Sequence, residues 1–358
     1  MKKIFFAAFL FCALSATYSC STKFSTAAPY KNIAFIYGIL DIGDTAHYIR
    51  IEKAFLDNTK SAIVMAQVPD SSYYSDISVQ IKLVNNSSQT VDHVIVPVRV
   101  DLNSEGYQKQ SGAFFTSPNY AYKFKNQLDT TYSYRVVVTN TVTGEVDSAT
   151  TPIITNDANA FYIQNYFADH QPLNFAKTGI YNTFVFTGYA AAYGQMYEGH
   201  IVFNWYDSNL TNGQETRRSY DWTFATTNVS YPISSNELFT FTIPNLNFYN
   251  AIATGMGPAP ANTVRLLDSC DIYVYAGGNE MYNYSVVNAA QNSGLTSDEV
   301  KPNYTDIFSS KGVGSAYGLY STRTMRIAHN VGMDFLTLDS VIANPITASL
   351  KITGLTIH

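Results

Sequence analysis

Apolar and polar residues alternate with a period of two over much of the first half of the chain. Ile77, Val79, Ile81 and Leu83 are interleaved with Ser78, Gln80 and Lys82; Val94, Val96, Val98 and Val100 form a second set, and Tyr132, Tyr134, Val136 and Val138 a third. Such spacing puts the apolar side chains on one side of a pleated strand. Turn signals recur between the runs, so the region from Tyr30 to about Thr155 reads as an immunoglobulin- or fibronectin-III-like sandwich. Pro97 interrupts the second run and cannot donate to a ladder, which predicts an edge strand or a bulge there. Thr143-Gly144-Glu145 supplies a hairpin turn. The run from Leu128 to Tyr134 resembles the corner at which a tyrosine closes such sandwiches. One short helix is expected over Lys60 to Val68, stopped by Pro69-Asp70-Ser71.

Beyond Asn156-Asp157-Ala158-Asn159 the composition shifts toward Tyr, Phe, Gly and Asn, and the apolar runs lengthen. Phe184 with Phe186, and Ile201, Phe203 and Trp205, keep the strand period, while Asp207-Ser208-Asn209 and Thr211-Asn212-Gly213 carry turn chemistry. Two helices are expected. Asn245 to Met256 aligns Leu246, Phe248, Tyr249 and Ile252; Glu280 to Gln291 is opened by Asn279 as a cap and closed at Gly294. A last strand is expected over Ala348 to Ile357. The fold class that follows is mainly β: a sandwich over 30–156, then a larger antiparallel β domain with two short helices over 157–358.

The N-terminal pattern differs in kind. Lys2 and Lys3 precede an apolar run from Ile4 to Leu14, then small and polar residues end at Cys20. The run is too short to span a bilayer permanently and reads as an export leader. Thr17-Tyr18-Ser19-Cys20 resembles the bacterial lipobox, matching at Ser19 and departing from it at Thr17 and Tyr18. Residues 1–19 are therefore expected to be a lipoprotein signal peptide, Cys20 the lipidated residue, and 20–29 a polar tether. Two or three acyl chains on one cysteine hold firmly where a single chain does not.

With Cys12 in the leader and Cys20 acylated, Cys270 has no thiol partner, which removes internal disulfides and tetrathiolate metal sites from consideration. Between Ser269 and Asp271, ahead of Ile272-Tyr273-Val274, it reads as a small packed hydrophobe. The 46% hydrophobic content of a 358-residue chain is enough for burial alone to hold the fold. The formal charge of −5 becomes −7 without Lys2 and Lys3, which argues against nucleic acid or an anionic membrane surface as partner.

Catalytic and metal-binding chemistry leaves little trace. The six histidines, His47, His93, His170, His200, His329 and His358, are scattered and never at the spacing of a zinc helix. Asp92 and His93 are adjacent on a predicted strand and point to opposite faces. In Gly314-Ser315-Ala316-Tyr317-Gly318 the serine is not centred between the glycines, as a nucleophile elbow requires. Gly312-Val313-Gly314 lacks the strand-to-helix setting of a phosphate loop. Asp268 with Asp271, and Asp298 with Glu299, read as solvated loop charges rather than a glycosidase pair. No catalytic, cofactor-binding or metal-ligating residue is assigned, and no enzyme activity is expected. The 28 tyrosines support a binding reading, because each offers a rigid apolar face with a polar tip. Tyr189, Tyr193 and Tyr197 lie four apart, and Tyr273, Tyr275, Tyr282 and Tyr284 cluster near a helix start.

Tyr37-Gly38-Ile39-Leu40, His47 to Ile51, Pro69-Asp70-Ser71 with Tyr73-Tyr74, Tyr304-Thr305-Asp306-Ile307, and Gly312 to Gly318 together resemble a family of uncharacterised Bacteroidota envelope lipoproteins. That family has a Tyr-Thr-Asn-Ile element where Asp306 stands here, followed by a Gly-x-Gly-x-Phe/Tyr element. The resemblance implies a two-part, β-rich envelope lipoprotein and no particular activity. The residues after Cys20, Ser21-Thr22-Lys23-Phe24, lack the acids that often accompany surface export in such proteins, which favours the periplasmic face of the outer membrane. Asp44-Thr45-Ala46, Asp129-Thr130-Thr131, Asp147-Ser148-Ala149 and Asp339-Ser340-Val341 resemble the O-glycosylation signal of these bacteria, making Thr45, Thr130, Ser148 and Ser340 candidate modification sites. The expected role is non-catalytic binding or assembly with outer-membrane protein partners. The alternative is a carbohydrate-binding accessory lipoprotein of a nutrient-uptake system.

Overall fold

The computed structural model describes residues 32–55, 57, 60–157, 159–161, 175, 183–234, 236–292, 304–332 and 335–355. The leader, the tether and Cys20 lie outside them. The chain is mainly β. The first half runs β1 (Ala34–Asp41), β2 (Ala46–Lys53), α1 (Ala62–Ala66), α2 (Pro69–Ser72), β3 (Ile77–Asn85), β4 (Val91–Ile95), β5 (Val98–Asp101), β6 (Tyr120–Lys125), β7 (Tyr132–Asn140) and β8 (Val146–Pro152). The second runs β9 (Thr183–Tyr189), β10 (Gly194–Asn209), β11 (Glu215–Asn228), β12 (Leu238–Pro244), α3 (Asn245–Met256), β13 (Thr263–Gly278), α4 (Asn279–Asn292), β14 (Phe308–Ser309), β15 (Ala316–Gly332), α5 (Phe335–Ala343) and β16 (Ile352–Leu355).

Among the described residues the strands form one nine-stranded sheet, ordered β11-β10-β13-β15-β1-β2-β6-β5 with β16 on β13. A five-stranded sheet, β14-β8-β7-β3-β4, and the hairpin β9-β12 complete the set. The large sheet belongs to both halves of the chain because of β15. Its first half pairs parallel with β1, from Ala34↔Ala316 to Asp41↔Arg323, and its second half pairs antiparallel with β13, from Gly277↔Arg323 to Ser269↔Gly332.

Two cores sit on the same side of this sheet. In the first, Ile36, Leu40, Ile49 and Phe124 from the large sheet pack on Val79, Ile81, Leu83, Tyr134, Val136 and Val138 from the five-stranded one, which is the expected sandwich. Tyr134 closes it: the Asp129 backbone N–H donates to its hydroxyl at 3.1 Å, as does the Asn126 amide. In the second core, Ile201, Phe203, Trp205, Ile272 and Val274 meet Phe186, Phe239 and Phe241 of the hairpin, Phe248 and Ile252 of α3, and Val341 of α5. Cys270 is buried there, and burial pushes its thiol pKa up, away from nucleophilic reactivity. The cores do not divide at residue 156. The first takes Ile307, Ala316 and Tyr320 from late in the chain, and the second takes Ile154 from before the expected boundary.

Several local expectations are corrected. The valines at 94, 96 and 98 are exposed, because the chain crosses from the edge of one sheet (β4) to the edge of the other (β5) at Val96-Pro97 rather than holding one buried face. Pro69 starts the short helix α2 instead of only ending α1, its missing N–H being harmless in a first turn. Asp207-Ser208-Asn209 continues β10, and the turn is made by 210–214, with Gly213 at positive φ. Asp268 and Asp271 lie on β13, not in a loop. The last strand shortens to β16 behind a 3-10 turn at Ala348–Leu350. Helix α3 spans the expected residues, while α5 has no counterpart in the sequence reading.

Candidate functional site

Both cores occupy one side of the nine-stranded sheet; among the described residues its other face is covered only in part, by α4 and by the 102–107 loop that lays Tyr107 against Tyr48. The chemistry gathers on this open face. Alternation places Glu198 and His200 on it together, and the β10–β11 ladder brings Asp221 alongside. A bulge between Gly199 and His200 sets the local twist. Gly199 leaves room for the Phe224 ring, since a Cβ there would lie 2.2 Å from it and force the ring to move.

His200 Nε2 lies 2.7 Å from Glu198 Oε1, and Nδ1 lies 2.8 Å from Asp221 Oδ1. The Tyr275 ring meets the imidazole edge-on at 4.9 Å. A neutral imidazole has one N–H, so both carboxylates are satisfied only by the imidazolium. Burial opposes that charge, but the two acceptors outweigh it and the His200 pKa is raised. With both nitrogens donating, neither offers a lone pair to a metal or a base to a hydroxyl. Among the described residues, no group of three or more His, Cys, Asp or Glu is placed to hold a metal ion. The triad is a charged tie across β10 and β11. Beside it, Met196, Tyr275, Gly277, Met281 and Arg323 line a hollow of about 340 Å³ with Glu198 and His200. Arg323 is held from the next strand by Asp41 at 3.1 Å.

A second hollow, about 140 Å³, opens where α4 meets β1 and β15. Phe35, Tyr37, Tyr284, Tyr304 and Tyr317 line it, with Asn288 and the backbone at Gly318. Phe35 and Tyr317 stack at 6.1 Å and 26°, while Tyr284 and Tyr304 meet edge to face at 6.4 Å and 76°. Two half-buried acids flank Tyr304. Asp306 accepts the Tyr320 backbone N–H on both oxygens at 3.1 Å, and burial, with Glu280 adding to it, pushes its carboxyl up to about 7. Glu280 is raised by burial as well, although Ser321 donates to it at 3.4 Å. Burial, with the charges of Asp306 and Glu280, pushes the Tyr304 hydroxyl up to about 12.

No family model and no curated protein sequence matches the chain. Solved structures that it resembles include the calcium-binding domain CBD12 of CALX1.1, at 7% identity and a TM-score of 0.17 over 82% of this chain and 98% of that one. Another is the C-terminal globular domain of an oligosaccharyltransferase from Pyrococcus abyssi, at 8% identity and 0.21 over 85% and 50%. CBD12 from CALX1.2 gives 9% identity and 0.19 over 82% and 99%. Similarity at this level carries no argument about function.

The residues singled out in the sequence are distributed unevenly. Of the tyrosine groups, Tyr275 and Tyr284 line the hollows, whereas Tyr197 is wholly buried, donating to the Gly194 carbonyl at 2.8 Å and accepting the Ala191 N–H. His47 is buried against Phe124 and bonded to the Asn126 carbonyl at 3.0 Å. His93 and Asp92 are both exposed on β4. The Gly312-Val313-Gly314 loop leads into strand β15, not a helix. Thr45 and Thr130 lie exposed between strands; Ser148 sits within β8 between two neighbouring strands, and Ser340 is half-buried in α5, so neither is on an exposed loop. Asp298 and Glu299 fall outside the described residues. The His200 triad was missed, yet Glu198-x-His200 on a predicted strand was a usable signal; the partnership with Asp221 needed the hairpin register.

Proposed function

We propose that this chain is a lipid-anchored envelope protein, held at the outer membrane through Cys20, whose role is binding or assembly rather than catalysis. It fits the Bacteroidota lipoprotein family that its motifs resemble, and the periplasmic face of the membrane is the favoured side. One observation carries the binding reading. The open face, continuous across both halves of the chain, bears two hollows rich in Tyr, Phe and Met, while the charged groups at the larger one, His200 with Glu198 and Asp221 and Arg323 with Asp41, are spent on one another. Aromatic and methionine side chains offer large contact area at little conformational cost, as binding surfaces require. No described helix is long and apolar enough to cross a membrane, so attachment in this reading rests on the acyl chains.

The test joins anchor and face. A photo-crosslinking residue placed at Tyr275 is expected to give a discrete adduct in intact envelopes, lost when Met281→Asp charges the neighbouring hollow. Cys20→Ala is expected to move the chain out of the detergent phase. Unchanged partitioning would refute the anchor, and a crosslink pattern indifferent to Met281→Asp would refute the face. The alternative, a carbohydrate-binding accessory of a nutrient-uptake system, draws support from the nearly parallel Phe35 and Tyr317 rings, which suit a pyranose face. Retardation in polysaccharide gels, abolished by Tyr317→Ala, is its expected sign.

A further inference from the structure

The smaller hollow has a chemistry of its own. Five aromatic rings, from β1, α4, β15 and Tyr304, enclose it, and none of the described residues lining it carries a charge. The rings stand at different inclinations, 26° for one pair and 76° for another, so they wall a space instead of paving a plane. At about 140 Å³ it is smaller than the roughly 300–1,000 Å³ that encloses a whole small-molecule ligand, so a head group enters and the rest stays outside. The surroundings are negative. Glu280 and Asp306 adjoin Tyr304, Glu52 adjoins Tyr37, and neither Glu280 nor Asp306 forms a salt bridge among the described residues. Arg50, opposite Tyr37 on β2, is already bonded to Glu52 at 3.1 Å and to Asn119 at 2.7 Å.

We propose that this hollow is an aromatic cage for an organic ammonium head group, quaternary or primary, and that it deepens the reading of the open face as a binding surface. Ring faces carry the negative end of the aromatic quadrupole, and a desolvated cation over several of them is held without any direct ion pair. The two unbridged acids behind Tyr304 add long-range attraction in proportion to their ionisation, which a bound cation favours and a neutral sugar does not. The phenols remain neutral, since burial holds the hydroxyls of both Tyr37 and Tyr304 above the ordinary tyrosine range.

The experiment is calorimetric titration of the full chain, in detergent at fixed ionic strength, with choline chloride, ethanolamine, glucose and 3,3-dimethylbutan-1-ol, the uncharged isostere of choline. Choline is expected to bind at least about tenfold more tightly than the isostere, and Tyr317→Ala or Tyr37→Ala to weaken it about tenfold, the size of a desolvated cation–π contact. Tyr37→Phe is expected to bind as the parent does, because it keeps the ring and the fold. Phosphatidylcholine against phosphatidylglycerol vesicles then separates a lipid head group from a free solute. Equal binding of choline and its isostere, or binding of glucose alone that Tyr317→Ala abolishes, would overturn the cation class and leave the binding face standing. Choline affinity unchanged in a folded Tyr37→Ala, Tyr317→Ala double variant would overturn the cage. If the Tyr275 crosslink is also insensitive to Met281→Asp, the reading of the face fails with it.

Discussion

Two charged residues show how far this fold departs from apolar burial. Arg265 sits on β13 at a core position, 3% exposed, with Nε on Asp207 Oδ1 at 2.9 Å and Nη1 on the Gly257 carbonyl at 2.5 Å. Its guanidinium also lies over Trp205 at 5.8 Å. Without Arg265, half-buried Asp207 keeps only the exposed Arg218 at 3.4 Å and the Trp205 indole N–H at 3.0 Å, so Arg265→Ala is expected to cost about 3 kcal/mol in urea unfolding, and Arg265→Ala with Asp207→Ala less than the sum of the two. A loss under 1 kcal/mol would show the pair to be marginal. Asp306 is the opposite case, an acid with no salt-bridge partner among the described residues. Its carboxyl rises from an ordinary 3.8 to about 7 on folding, so between those values the native chain keeps a proton that the unfolded chain releases. This site's contribution to stability therefore falls as pH rises across that window, and above it the buried charge is a standing cost. Asp306→Asn is expected to raise Tm over the parent most at pH 8.5, less at pH 5, and to change it little at about pH 3.5, below the unfolded pKa; a difference independent of pH would remove this account. Neither residue was legible in the sequence, because alternation reports which face a position takes and not whether a charge there finds partners.

At the scale of elements, the parallel seam between β1 and β15 decides the architecture, and one residue permits it. Gly318 has φ +143°, and a Cβ there would lie 1.8 Å from the Ile36 carbonyl oxygen. An added methyl meets backbone on a neighbouring strand, which cannot move as a side-chain tip can. Gly318→Ala is expected to destabilise by about 3 kcal/mol or more and to speed hydrogen exchange of the β1 amides ahead of those in β7. Uniform exchange through both sheets would place the strain elsewhere. Strands β3 and β7 of the first sandwich, the β7–β8 hairpin and helix α3 were readable because each rests on local information: a period, a turn glycine, a one-sided apolar stripe. The β1–β15 seam was not, since it joins segments nearly three hundred residues apart and no local pattern encodes a strand's partner. The valines at 94, 96 and 98 misled for a related reason. Alternation marks a strand, and only the sheet it joins settles whether that strand's apolar face is covered.

At the scale of the whole molecule, the shared sheet makes the two halves thermodynamic neighbours instead of separate domains. Ile307, Ala316 and Tyr320 complete the first core from the far end of the chain, so a fragment of residues 30–156 would expose the surfaces they cover. The tryptophans supply a clean reporter, because the two in the chain, Trp205 and Trp222, both belong to the second core. Ile81 lies wholly buried in the first. Ile81→Ala removes buried methylenes there and is expected to cost about 2–5 kcal/mol. If β15 transmits that loss, the urea midpoint seen by tryptophan fluorescence moves as far as the midpoint seen by far-ultraviolet circular dichroism, in one transition. A tryptophan midpoint that stays put while the dichroism splits in two would show that β15 frays between the cores. The proposed binding face would then be assembled from halves free to move against each other, because the hollow draws Phe35 and Tyr37 from β1, Tyr317 from β15 and Tyr284 from α4. A rigid seam is thus the condition for a preformed site: the same sheet that couples the cores holds those rings in register before any ligand arrives.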